Sequence, residues 1–274
     1  MNGILWQAAA AVATGAFPAQ HASRGARMSF KDHFSRQSPA YGRHRPGYPQ
    51  ELIEYVARRA PGHALAVDCA TGNGQAAVAL ASHFDAVLAV DGSRSQLASA
   101  RPHPRVHYAA ALAERLPLGA HSASLVAAAQ AAHWFDFDRF HAECRRVLVP
   151  GGVIAAWSYE KFRADAQVDA VVDRFYTEVI GRDWPPERAY VEQGYRTLPF
   201  PWTEEPAPRF ELVTEWDLEQ VMGYLATWSA VQRYRERTGA DPLPALRSRL
   251  AGCWGTGATR RLHWPIHLRV GRHW

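Results

Sequence analysis

The chain has 274 residues, is 47% apolar and carries a formal charge of +5. That suffices for one large α/β domain with a full core, and no apolar run reaches the roughly 18 residues of a membrane helix, which argues against a helical membrane span. All but two of the 31 basic residues are arginines, scattered apart from modest clusters at 24–59 and 260–272. There is no continuous basic stripe with interleaved aromatics, so no nucleic-acid partner is expected. Cys69, Cys144 and Cys253 make no CxxC pair, and the 13 histidines show no HExxH or HxH spacing. Neither a disulfide scaffold nor a metal site is expected, and a reducing cytoplasm is the expected compartment.

In chain order, residues 1–27 come first. Met1–Gln20 is alanine-rich and without charge, and Met28 opens a plausible second start. Residues 1–27 read as a disordered extension or a start set too far upstream, leaving 28–273 as a single domain. Ala64–Cys69 is a short apolar run ending at an acid and a glycine turn, a buried strand. A helix over Gln75–Phe84 follows, then a strand over Ala86–Asp91 and a helix over Ser93–Ala100. Val106–Ala109 and Ser124–Ala129 are further strands. Asp138–Leu148 is a helix stopped by Pro150-Gly151-Gly152, and Val153–Trp157 is a fifth strand.

Strands alternating with helices predict a doubly wound parallel sheet, whose ligands bind at the carboxyl ends of its strands. After Tyr159 the pattern changes. Residues 160–208 hold Trp184-Pro185-Pro186, Phe200-Pro201-Trp202 and Pro206-Ala207-Pro208, and read as a partly helical insertion forming a cap or lid. Residues 209–217 alternate as a sixth strand, 218–237 and 242–253 are helical, and Arg261–Val270 alternates as a last strand.

The chemistry concentrates at strand ends. Asp68 closes the first strand, and Gly72 and Gly74 allow backbone to approach a ligand where a Cβ would clash. Gly72-x-Gly74-x-x-Ala77 also fits a dinucleotide fingerprint, with pyrophosphate at a helix N-terminus. Ala70 stands where either pattern prefers glycine. Asp91, ending the second strand, is placed to accept both hydroxyls of a ribose, whichever nucleotide is bound.

Further along, Ala113-Glu114-Arg115-Leu116-Pro117 follows the third strand and Leu148-Val149-Pro150-Gly151-Gly152 precedes the fifth. This succession resembles the class I S-adenosylmethionine-dependent methyltransferases. Three other stretches are Phe34-Ser35 through Ser38, Tyr41, Arg45-Pro46 and Tyr48-Pro49; Ala129-Gln130-Ala131-Ala132-His133-Trp134-Phe135-Asp136; and Thr227-Trp228-Ser229-Ala230-Val231-Gln232-Arg233-Tyr234. With them, residues 28–273 are similar to the type 11 branch that includes trans-aconitate methyltransferase-like proteins.

The resemblance implies a Rossmann-like, seven-stranded sheet whose last strand is antiparallel, and S-adenosyl-L-methionine as cofactor. It puts Tyr41 and Arg45 on an N-terminal lid, with Arg45 opposing the methionyl carboxylate. Asp68, Ala70, Gly72 and Gly74 would border the methionyl part and ribose, Asp91 the ribose hydroxyls, Ala113 and Glu114 the adenine edge, and Gln130 the sulfonium. His133 would act as catalytic base or bind the acceptor's carboxylate. Trp134 and Trp228 would wall the acceptor pocket, with Arg233 adding a polar contact. The expected acceptor is a small molecule with a carboxylate or hydroxyl, handled by a monomer or homodimer. The Asn- or Asp-Pro-Pro-aromatic signature of base-modifying enzymes is replaced by Gln130-Ala131-Ala132-His133-Trp134. Two rivals are kept: an enzyme of the same fold that consumes the cofactor without transferring methyl, and a nicotinamide-dependent oxidoreductase.

Overall fold

The computed structural model describes residues 45–274. The proposed extension 1–27, Tyr41 and most of the first family stretch lie outside the described residues. The described chain opens on α1 (Gln50–Arg59), not anticipated from the sequence, which buries Leu52, Ile53 and Val56 on one face. Then come β1 (Leu65–Cys69), α2 (Gln75–Leu80), β2 (Ala86–Asp91), α3 (Arg94–Ala98), β3 (Val106–Ala110), β4 (Ala123–Ala129), α4 (Phe137–Val147) and β5 (Leu148–Tyr159). These follow the expected alternation, with α2 and α3 shorter than their apolar pattern and α4 shifted by one residue. Ser93 caps α3 by accepting from the Gln96 amide, and Asp136 caps α4 by accepting from that of Arg139.

Beyond β5 lie α5 (Ala166–Arg174), a π-turn at Phe175–Val179, α6 (Arg188–Glu192), β6 (Thr203–Glu205), β7 (Phe210–Trp216), α7 (Leu218–Ala226), α8 (Ser229–Thr238), α9 (Leu243–Trp254) and β8 (Arg260–Arg272). The helix expected over 218–237 is broken at Thr227-Trp228, so Trp228 is the N-cap of α8 rather than part of one long helix.

The sheet runs β3-β2-β1-β4-β5-β8-β6, with β7 also pairing to β8. β1 to β5 are parallel, and β8 is antiparallel to β5. Eight strands stand where seven were expected, and the registers give the reason. Thr203 pairs with Arg272 and Phe210 with Ile266, so β6 and β7 run along β8 in nearly one register. Between them lie Pro206 and Pro208, which lack the N–H a ladder needs, and the strand is interrupted there.

Strand alternation splits the core in two. Ala66, Val153, Ala155 and Trp157 face one apolar layer with α1, while Val67, Cys69, Ile154 and Ala156 face the other with α4. Strand order reverses between β1 and β4, so their carboxyl ends part and leave a crevice. Among the described residues, no helix is long and apolar enough to cross a membrane.

Candidate active site

A cavity of about 510 Å³ occupies that crevice, well within the range of small-molecule sites. Its floor is the turn after β1. Ala70 and Gly72 are both left-handed (φ 53° and 57°), and the turn is tied to β2 by Thr71 N–H donating to Val90 O at 2.9 Å. Ala70 therefore keeps the conformation a glycine would take there, at a cost of about 1 kcal/mol. Gln130, directly after β4, is a second left-handed non-glycine residue (φ 57°). Its amide donates to Trp157 O and its side chain to Tyr159 O, both across to β5. Strain held by surrounding bonds at two adjacent strand ends is characteristic of a ligand site.

Two carboxylates face the cavity with different duties. Asp91 accepts the Gly72 amide at 2.8 Å through Oδ2 and the Ser93 amide at 2.7 Å through Oδ1, fixing two loops. Asp68 accepts the Thr71 hydroxyl at 2.6 Å through Oδ2, whereas its buried Oδ1 has no hydrogen-bond partner among the described residues. Burial pushes the Asp68 carboxyl up to about 7, opposed by the bonds from Thr71 and the Ala77 amide and assisted by the nearby charge of Asp91. Glu114 accepts the Asp136 amide at 2.9 Å, joining the loop after β3 to the N-terminus of α4.

A smaller chamber of about 50 Å³ shares Arg45, Gln130, Trp134 and Tyr159 with the large cavity. Its other walls come from distant segments: His133 after β4, Glu160 after β5, Trp184, Pro185 and Arg188 from the cap, and Tyr224, Trp228 and Ser229 around α7 and α8. Trp184 and Trp228 lie 5.5 Å apart between ring centroids, each against Tyr176 of the π-turn. The Arg188 guanidinium stacks 4.7 Å from the Trp184 ring while its Nε donates to the Tyr176 hydroxyl at 2.8 Å. Arg45 stands at the junction of the two spaces, bonded to the Tyr159 hydroxyl at 3.2 Å and 5.4 Å from the Tyr224 ring.

A family model described as "Methyltransferase domain" matches residues 67–156. A Dictyostelium discoideum protein named as a methyltransferase is 30% identical over 231 residues, 83% of this chain and 88% of that protein. A solved structure from Anaeromyxobacter dehalogenans, described as a type II methyltransferase, is 50% identical with a TM-score of 0.77, and the match covers 83% of this chain and 97% of that one. The chain belongs to the class I S-adenosylmethionine-dependent methyltransferases. A Mycobacterium tuberculosis methyltransferase is also similar, 36% identical over 60% of this chain and 63% of its own.

The large cavity of this methyltransferase fits the cofactor on its own chemistry. The buried Oδ1 of Asp68 lacks a hydrogen-bond partner among the described residues, so the donor set suits a cationic group such as the ammonium of S-adenosylmethionine, and Asp91 stands in the same cavity wall. Of the residues singled out from the sequence, Arg45, Asp68, Ala70, Gly72, Asp91, Ala113, Glu114 and Gln130 line it together. Gly74 does not. Its φ is 87° at the N-cap of α2, and a Cβ there would meet the Tyr108 hydroxyl at 2.1 Å, so its demand for glycine is internal packing rather than ligand approach.

His133, Trp134 and Trp228 line the smaller chamber, but Arg233 lines neither space. It sits farther along α8, where its charge acts on Asp183, the buried carboxylate gripped by Arg237 at 2.7 Å. Burial, reinforced by the charge of Arg188 and opposed by that of Glu187, pushes His133 down to about 3. A neutral, weakly basic imidazole is ill suited to the base role expected of it. Glu160, Trp184, Arg188 and Tyr224 line the same chamber and were not singled out as site residues from the sequence. Trp184-Pro185-Pro186 stood out in the sequence, though nothing local tied it to the end of β4.

Proposed function

We propose that this methyltransferase acts on a small molecule through a carboxylate, with S-adenosylmethionine in the large cavity and the acceptor in the chamber beside it. The observation that carries the reading is the junction: Arg45, Gln130, Trp134 and Tyr159 border both spaces, so a methyl group at that boundary is reachable from either side. Asp68 takes the cofactor's ammonium, Arg45 its carboxylate, Asp91 its ribose hydroxyls, and Ala113 and Glu114 the adenine edge, with Gln130 near the sulfonium. We read residues 28–273 as one domain in which 160–208 is the cap, working in the cytoplasm.

When bound, S-adenosylmethionine supplies an electrophilic methyl group on a sulfonium that leaves as a neutral thioether. The protein's part is positioning and exclusion of water. Arg188, held by Trp184 and Tyr176, orients an anionic acceptor against the aromatic walls. A carboxylate acceptor held there would take the methyl group as an ester while the cofactor left as a neutral thioether, with no proton for the protein to remove. A hydroxyl acceptor would need a base, and His133, pushed down to about 3, is a poor one.

The test is transfer of labelled methyl from the cofactor to a panel of small carboxylic acids and their alcohol analogues. Base-labile methyl esters are the expected product. No cofactor binding by calorimetry would sink the assignment of the large cavity, and label entering only alcohols or amines would sink the carboxylate. Mass spectrometry of the spent cofactor separates methyl transfer, which gives S-adenosylhomocysteine, from a reaction that yields methylthioadenosine.

A further inference from the structure

We propose that Tyr195 is a positioning residue that locks His133 in its Nε2–H tautomer, so that the imidazole offers the acceptor a hydrogen-bond donor rather than a base. Tyr195 comes from the cap, 62 residues along the chain, and is fully buried, with its hydroxyl 2.8 Å from His133 Nδ1. The short 3₁₀ turn Ala132–Trp134 begins just after the Gln130 bend, and its first amides have no backbone partner within the turn. The hydrogen-bond partner of the buried Tyr195 hydroxyl among the described residues is His133 Nδ1. The hydroxyl proton therefore has Nδ1 as its acceptor within hydrogen-bond distance among the described residues. Were Nδ1 to carry the proton, it would donate to the phenol oxygen and the buried hydroxyl proton would be stranded without an acceptor, at about 1–3 kcal/mol. Nδ1 is therefore bare, the ring proton is on Nε2, and the remaining edge is the one His133 presents to the chamber it lines.

The fold spends strain to keep this contact. Gly194 and Tyr195 are consecutive left-handed residues (φ 59° and 60°). The His267 ring packs on Gly194, where a Cβ would lie 2.7 Å from Nδ1, and Arg269 clamps the far side by donating to Tyr195 O at 3.0 Å and Leu198 O at 2.7 Å. A left-handed tyrosine costs about 1–2 kcal/mol and persists where its surroundings over-determine it. The groups facing the imidazole are Tyr195, Trp134 at 4.7 Å between ring centroids, and the charges of Arg188 and Glu187. Arg188 disfavours an imidazolium and also serves an anionic acceptor, so a cation and a neutral N–H donor converge on one ligand. The inference rests on the chamber's assignment to the acceptor, but the tautomer itself does not.

The experiment is two-bond ¹H–¹⁵N correlation of the imidazole rings in the full chain labelled at histidine, with His133 assigned by its loss in His133→Gln. The expected wild-type pattern has Nδ1 at the unprotonated position and Nε2 at the protonated one, with no titration between pH 5 and 9. In Tyr195→Phe the ring should become a mixture of tautomers or begin to titrate, and Tyr195→Phe bound to S-adenosylmethionine gives the same readout in a stabilised form. A proton on Nδ1 in the wild type overturns the proposal, as does an unchanged Nε2–H pattern in folded Tyr195→Phe. Should no carboxylic acid be methylated, the acceptor assignment fails while the tautomer result stands or falls separately.

Discussion

The two halves of the site are built by different means. The cofactor cavity is made of strand ends and the turns that follow them, held by short-range bonds: Asp68 to Thr71, Asp91 to Ser93, the Gly72 amide to Asp91. The acceptor chamber is made of side chains that share no stretch of sequence. Arg45, His133, Glu160, Arg188 and Trp228 meet only because α5 to α8 fold back over the end of β5. A cavity of the first kind depends on backbone geometry and tolerates little change in its turns. A chamber of the second kind depends on aromatic packing, so the walls it does not share with the large cavity can be reshaped with the least effect on the cofactor.

The largest effect expected under this contrast is in the chamber. Trp228→Ala removes a ring buried against Tyr176, Trp184 and Tyr224 and should lower stability by about 3–5 kcal/mol. Calorimetry on the folded fraction should still find cofactor affinity within about threefold of wild type, since Trp228 does not line the large cavity. A collapse of that affinity would show that the two halves are one unit. Next comes Asp91→Ala, which strips the Gly72 and Ser93 amides of a charged acceptor together with the ribose contacts proposed for it. Cofactor binding should weaken about 100-fold or more, close to 3 kcal/mol.

Gly74→Ala should cost about 1–3 kcal/mol in thermal or urea unfolding, because its Cβ enters the space of the Tyr108 hydroxyl at a left-handed φ. Tyr108→Phe in the same chain should recover part of that loss, while equal stability of the single and double variants would refute the contact.

The pH dependence is smaller and has opposite signs in the two halves. Asp68 is raised from 3.8 to about 7, so the free protein loses its contribution to stability as pH rises from 3.8 through 7. Binding an ammonium requires the ionised form, so affinity should fall about tenfold per pH unit below 7, and Asp68→Asn should abolish that slope. His133 is lowered from 6.5 to about 3, so its contribution, present above 6.5, is lost as pH falls toward 3. Last, Ala70→Gly relieves about 1 kcal/mol of strain and loses about 0.5–1 kcal/mol to unfolded-chain entropy. Its unfolding midpoint should stay almost unchanged, whereas a marked drop would mean that the Ala70 methyl packs against something the turn needs.

Most of the cofactor half was legible in the sequence. A turn, a strand-end acid and a helix stop are local features, governed by φ preferences and by apolar alternation along a few residues. Hence Asp68, Gly72 and Asp91 could be picked out before any contact was known, and so could the first five strands in chain order, whereas Gln130 came from the family resemblance alone. Even there, the reason for a glycine did not follow from its position. Gly72 borders the cavity, while Gly74 makes room for the ring of Tyr108, 34 residues away.

The acceptor half was decided by tertiary structure. Trp184, Arg188 and Tyr195 belong to a segment whose sequence says only that it is partly helical and rich in proline and tryptophan. Their meeting with His133 depends on the π-turn, on two left-handed residues and on the clamp from Arg269 in the last strand. The sequence could mark His133 as a titratable group at the mouth of a site, because residue type and strand-end position are local. Whether it is charged, and which nitrogen carries its proton, follow from burial and from a partner 62 residues distant, which only the folded chain supplies.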